Sequence, residues 1–437
     1  MLKSNFAFDI YLYILIRYII LMVNFKIENC ENRHHKIFYT GDFCPVCAKE
    51  TFYYNTVKKI DKENFLGSSP PNIFIGSKLE YPKVNVGILS PPEQDENASI
   101  YSDVDYWVRN NLSIGQIVKY RTSLINSRFR TDVFEVRKSN RLIELAKEIG
   151  MASKPVDVEV ELKKKPNLKK INFEEISMPM GPSAPLKKID ITSNVKIDSR
   201  VENVVNDTDL KAVEGLNILY EKGFSEQFLQ QILSIGSLGL GKNRKLVSTR
   251  QSITAVDDQI GKRLISNIKY YEKIDNYQLY YGEYFGNHYY VLLFPDNFNY
   301  ELFEAYAPEN HTGILNYSTD YEGYKGRTSY ASDTVGGYYA SRISILEYLD
   351  KIKKKASALV FRFVTEEYAV PLGVWVVRSS TRKAMKNNVV NFENEELMIK
   401  YVKEAIMRKF RYNLDLMLQK SLLCKELKQP KLSSFFN

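Results

Sequence analysis

Tyr277-Gln278-Leu279-Tyr280-Tyr281-Gly282-Glu283-Tyr284-Phe285-Gly286-Asn287-His288-Tyr289-Tyr290-Val291-Leu292-Leu293-Phe294 is the most informative run of the chain. β-Branched and aromatic residues alternate with polar ones around Gly286-Asn287, and Pro295-Asp296 offers a second turn before Tyr300–Tyr306. That pattern predicts hairpins over 277–306. Downstream, Gly336-Gly337 open a helical 336–355, and Ala358–Thr365 and Val370–Val377 read as strands. Upstream, Asn72–Gly76, Val84–Leu89 and Val156–Leu162 read as strands, the last broken by Lys163-Lys164-Lys165-Pro166. Helices are expected at Arg137–Ile149, at 207–222 with Asp207 or Thr208 as cap, and from Ser225 to Ile235, ended by Gly236. Strands and helices mix without βαβ alternation or a 20–50-residue repeat, so the expected class is α+β with mixed sheets.

The last long element is expected to be one amphipathic helix. Asn394 caps it, Glu395 and Glu396 suit its positive end, and Ile399, Val402, Ile406, Phe410, Leu414 and Met417 form an apolar stripe. From Lys400 to Lys431 nine Lys/Arg oppose Glu404, Asp415 and Glu426, a net +6 out of +9 for the chain. A solvated face is the default for such a stretch, and phosphate contact the sharper reading. With 437 residues, 44% hydrophobic and 13% aromatic, the chain has material for a sizeable core, which excludes disorder for most of its length. An AT-rich genome is the preferred explanation of the abundance of Tyr, Phe, Lys, Asn and Ile, ahead of a base-stacking surface.

Phe6–Val23 is mostly apolar, but Asp9 and Arg17 interrupt it and no cleavage pattern follows. Translation from Met22, with an upstream extension, is the preferred reading over a membrane anchor. Four cysteines exclude a disulfide scaffold and fit a reducing, cytoplasmic setting. Three of them cluster with histidines: Cys30, His34, His35, Cys44 and Cys47. Cys44-Pro-Val-Cys47 is a C-x₂-C knuckle, and Cys30 with either His34 or His35 closes a tetrahedral set, so structural Zn²⁺ is expected there. Only His288, His311 and Cys424 remain elsewhere, which discounts Cys–His and multi-histidine catalysis.

Two polar strings stand out. In Thr249–Asp258, Arg250 lies near two hydroxyls and the pair Asp257-Asp258, a set suited to phosphate and to Mg²⁺ or Mn²⁺; a capped helix explains it equally well. In Gly336–Arg342, glycine amides can meet an anion at a helix start, although a tight turn into a core helix is the plainer reading.

Together the strings resemble a known family. Gly67-Ser68-Ser69-Pro70-Pro71 with Tyr81–Val84 and Gly87 resembles the N-terminal domain of the archaeal Nre DNA repair proteins. Lys245–Val247, Thr249-Arg250 and Ser252–Asp258 resemble that family's central string, with Ser248 and Gln251 in place of its Pro and Trp. Gly337–Arg342, Leu346–Leu349 and Pro371–Arg378 resemble its C-terminal domain. The resemblance implies an archaeal cytoplasmic protein of the DNA damage response, DNA-associated, with a zinc-finger-like N-terminus and no membrane span. It makes Arg250, Asp257, Asp258 and Arg342, with Tyr338, Tyr339 and Arg378, candidates for a catalytic or anion- or nucleotide-binding pocket.

Gln429-Pro430-Lys431-Leu432-Ser433-Ser434-Phe435-Phe436-Asn437 resembles the peptide that binds the sliding clamp PCNA. One turn places Leu432, Phe435 and Phe436 on one face as an apolar plug and leaves Gln429 to a side pocket. The expected organisation is an upstream extension 1–22, a zinc-finger-like module 23–56, Nre-like domains 57–240 and 241–391, a basic helix 392–428 and the clamp peptide 429–437. Two functions fit: a clamp-recruited repair factor, and a metal-dependent phosphoester or nucleotide hydrolase in the same pathway.

Overall fold

The computed structural model describes residues 63–166, 176–307, 316–368 and 370–429. The cysteine–histidine cluster at 30–47, the apolar run 6–23, His311 and residues 430–437 of the clamp peptide lie outside them. The fold is α+β, built on two six-stranded sheets and twelve described helices.

The first sheet has the order β1-β5-β6-β4-β3-β2. Its strands are β1 (Asn64–Ser69), β2 (Ile73–Ile75), β3 (Lys83–Ser90), β4 (Ile125–Asp132), β5 (Val156–Leu162) and β6 (Ser183–Ile191). On β5 the expected alternation holds: Val156, Val158, Val160 and Leu162 are buried while Asp157, Glu159 and Glu161 face the other way. The helix Arg141–Met151 covers the apolar side through Ile143, Ala146 and Ile149. It starts four residues later than expected because Asn140 caps it and Val133–Arg137 forms a separate 3₁₀ turn. The edge strand β2 is blocked by side chains: Ile73 N donates to Gln231 Oε1 at 3.2 Å and Ile75 N to Thr249 Oγ1 at 2.9 Å.

After β7 (Glu272–Lys273) come the strands of the second sheet, β8 (Tyr277–Tyr284), β9 (Asn287–Phe294), β10 (Tyr300–Tyr306) and β11 (Tyr317–Glu322). Beyond β12 (Lys354–Lys355), which pairs with β7, β13 (Ser357–Val364) and β14 (Val390–Phe392) complete it in the order β11-β10-β13-β9-β8-β14. β8 and β9 form the expected hairpin, with Gly286 at φ +66°. The second expected hairpin is absent: β13 inserts between β9 and β10, antiparallel to one and parallel to the other. All eight residues of β9 are buried, since Tyr289, Val291 and Leu293 face one core and Tyr290, Leu292 and Phe294 another. A sheet covered on both faces no longer reveals strand order through alternation.

Three further expectations are corrected. The helix expected over 207–222 is Ala212–Glu221, because the Asp207 carboxylate accepts from the amides of Asp209 and Leu210 and turns the chain first. Val370–Val377 is not a strand: a loop passes Gly373 at φ +99° and enters the helix Trp375–Lys386. Its β-branched residues are buried on several sides, and packing overrides propensity there. The single C-terminal helix is three: Glu395–Phe410, Asp415–Lys420 and Leu422–Leu427. Arg411 turns left-handed (φ +50°) and ends the first, yet Val402, Ile406, Phe410, Leu414 and Met417 still share one core against the second sheet.

The helix Thr249–Ile268 joins the two halves. Its start touches β2, and its buried side packs on helices Glu226–Ser234, Ala212–Glu221 and Gly337–Ile352 within the largest core. Among the described residues no helix is long and apolar enough to cross a membrane.

Candidate functional site

Ser248 caps the central helix: its hydroxyl accepts from Gln251 N at 3.4 Å and donates to Gln251 Oε1 at 2.9 Å. The cap sets the phase of every residue after it. Arg250 falls on an exposed first turn and makes none of the contacts below. Asp257 and Asp258 are successive, so about 100° of helix rotation separates them. That rotation sends two adjacent carboxylates to different arginines.

Asp257 is 0% exposed. It accepts from Arg378 Nη1 at 3.3 Å and from Gln230 Nε2 at 3.4 Å. Burial pushes its pKa up to about 6, a rise that Arg378 opposes and Glu226 assists. One turn beyond Arg378, Arg382 donates to Glu226 Oε1 at 2.5 Å and to Glu347 at 2.7 and 2.8 Å. Tyr220 adds its hydroxyl to Glu347 at 2.7 Å. Burial alone would lower the Arg382 pKa; Glu226 and Glu347 outweigh it and hold the group well above its usual range. Five helices thus meet on a network whose cations are all occupied. Such a network fixes helices against one another, and it leaves no free cation for an anionic ligand.

Asp258 turns to the other side. It accepts from Arg342 Nη2 at 2.6 Å and from Lys262 Nζ, one turn on, at 2.6 Å. Arg342 is 1% exposed and donates through Nη1 to Glu322 Oε2 at 2.5 Å, where Tyr338 donates too, at 3.0 Å. The guanidinium lies 5.6 Å from the Tyr338 ring centroid and 5.3 Å from that of Tyr339. Burial, then Glu322, raises the Tyr338 pKa, so the phenol stays protonated as a donor. Gly261 makes room for this group: a Cβ there would stand 3.0 Å from Arg342 Nη2.

The candidates therefore divide: Asp257 with Arg378, Asp258 with Arg342, Tyr338 and Tyr339, and Arg250 with neither. Two aspartates facing different arginines do not converge on one cation. Among the described residues no group of three His, Cys, Asp or Glu side chains could hold a metal ion. His288 is buried on β9 and Cys424 in the last helix, Leu422–Leu427; burial lowers the imidazole to about 4 and raises the thiol. Sequence reasoning missed Glu226, Glu322, Glu347 and Arg382. The four-residue step from Arg378 to Arg382 would have exposed the last, had 370–377 been read as leading into a helix.

The comparisons agree with the strings that carry these residues. The model for "Archaeal Nre, N-terminal" matches residues 40–311, and that for "Archaeal Nre, C-terminal" residues 322–435. DNA repair protein NreA of Haloferax volcanii is 36% identical over 352 residues, 79% of this chain and 83% of its own. DNA repair protein NreB of Archaeoglobus fulgidus is 37% identical over 380 residues, 86% and 92%. NreA of the same organism is 37% identical over 380 residues, 85% and 92%. No solved structure matches the chain significantly. With both family models matched in order, and relatives 36–37% identical over most of both chains, the chain belongs to the archaeal Nre family.

Proposed function

We propose that this protein is a DNA repair factor that its C-terminal peptide, 429–437, recruits to the sliding clamp PCNA. The observation that carries the repair role is family membership, with relatives bearing that name at 36–37% identity over most of both chains. The peptide itself carries the clamp reading, through Gln429, Leu432, Phe435 and Phe436 at the spacing of a three-pronged plug.

The way the chain reaches that peptide supports the reading. Buried Glu301 on β10 accepts from Ser421 Oγ at 2.5 Å and from the amides of Leu422 and Leu423 at 3.0 Å. This holds the last helix on the second sheet, and Gln429 follows it, exposed. Burying three apolar side chains contributes ~1.5–3 kcal/mol each, which offsets ordering of a short peptide and leaves micromolar-class affinity. The same protein holds one structural Zn²⁺ through Cys30, Cys44, Cys47 and His34 or His35; the family match includes the Cys44–Cys47 knuckle. The hydrolase reading required Asp257 and Asp258 on one Mg²⁺ or Mn²⁺, and the divergence of the two aspartates gives it no support.

A peptide of residues 427–437 should bind the cognate clamp, and Phe435→Ala with Phe436→Ala should abolish binding. Equal affinity of the double variant would refute the recruitment reading. Zinc should appear at one equivalent per chain by elemental analysis and be lost in Cys44→Ser.

A further inference from the structure

Arg342 and Glu322 form the inner wall of a cavity of about 200 Å³ that opens at the surface beside the last turns of the central helix. Lys262 and Lys269 of that helix line it, with Lys325 and Arg327 from the segment after β11. The loop is shaped to present its tip. Gly326 N donates to Gly323 O at 2.8 Å and Gly326 takes φ +79°, which leaves Tyr324 and Lys325 at the apex of a tight turn.

The five cations fall into two kinds. Arg327 is fixed by Asp320 at 2.9 Å and by three carbonyls, and Arg342 by Glu322 and Asp258, which also takes Lys262. Lys269 and Lys325 have no carboxylate partner among the described residues; Lys269 Nζ instead lies 5.5 Å from the Tyr324 ring centroid. Five cations against three carboxylates leave the cavity with a surplus of +2, carried by the two outermost lysines. Arg342 Nε, fully buried, has no hydrogen-bond partner among the described residues. At the rim Tyr324 is 50% exposed.

We infer that this cavity binds a phosphodiester of single-stranded DNA, with a neighbouring base stacked on Tyr324. Fixed arginines behind free lysines are the arrangement that holds a phosphate, and an aromatic face beside them is what an unstacked base requires. The volume is below the ~300–1,000 Å³ of sites that enclose a whole drug-sized ligand, so it suits one charged group of a longer chain. The choice of DNA as the polymer rests on the repair reading; the phosphate and stacking chemistry does not.

Fluorescence anisotropy with a labelled 15-nucleotide oligo-dT, using the full chain at several salt concentrations, tests this. Lys269→Gln with Lys325→Gln should weaken binding at least tenfold. It should also flatten the log K against log salt slope by about 0.7, the loss of one single-strand phosphate contact. Tyr324→Ala should weaken binding about fivefold, with the slope unchanged. Clamp-peptide binding should be the same in all variants, so failure here leaves the recruitment reading standing and failure there leaves this one. Absence of binding by the wild type overturns the inference. So do unchanged affinity and slope in the lysine variant, equally tight binding of dTMP or inorganic phosphate, or preference for RNA of the same length.

Discussion

Asp257 and Asp258 are neighbours in sequence, yet they anchor opposite kinds of environment. Asp257 faces inward to Arg378, beside a network in which Arg382 is saturated by Glu226 and Glu347. Asp258 faces Arg342 and Lys262 on the wall of a cavity with uncommitted lysines at its mouth. One cluster is closed and holds helices together; the other is half-built from the protein's own carboxylates and leaves positive charge over. An acidic pair in a sequence is thus weak evidence for a shared metal when it lies within a helix, because the helical rotation separates the two groups.

Breaking the second cluster should have the largest effect. Arg342→Met leaves Glu322 buried without its cation and should cost about 3–5 kcal/mol in urea unfolding. Gly261→Ala probes the same group from the helix side. The usual helix gain of up to ~1 kcal/mol is outweighed by a Cβ pressed against a guanidinium that two ion pairs hold, giving a net loss of about 1–3 kcal/mol.

The first cluster is sharpened by pH. The Asp257 carboxyl is raised from 3.8 to about 6 on folding. Its contribution to stability is therefore full below about pH 4 and is lost as pH rises through 6, on the order of 3 kcal/mol in all. Unfolding measured at pH 4.5 and 7.5 should show this loss in the wild type and a flatter profile in Asp257→Asn; parallel profiles would remove the titration from Asp257. The smallest effect belongs to the exposed arm. Lys262→Met should change stability by no more than ~0.5 kcal/mol, because Lys262 is itself half exposed and Asp258 keeps Arg342 as its partner.

Much of this architecture was legible in the residues. The alternation of β5, the hairpin at Gly286-Asn287, the helix beginning about Ser225, the cap Asn394 and the C-terminal apolar stripe all appear where local chemistry predicts them. What stayed hidden depends on contacts distant in sequence. Insertion of β13 between β9 and β10 leaves no local trace in strands buried on both faces. The helical state of Trp375–Lys386 is set by packing, and Arg411 ends a helix in a conformation its residue type does not announce. In the candidate site the arginines and aspartates were visible, but their pairing follows from the phase of one helix against three others. Lys269, Tyr324 and Lys325 come together only through the turn after β11.

Recruitment by the clamp is tested most directly by calorimetric titration of the cognate clamp with full-length protein and with the same protein lacking residues 429–437. The full chain should bind saturably with micromolar-class affinity, and the shortened chain should give no binding heat while unfolding at an unchanged temperature. Equal affinity of the two would contradict the account.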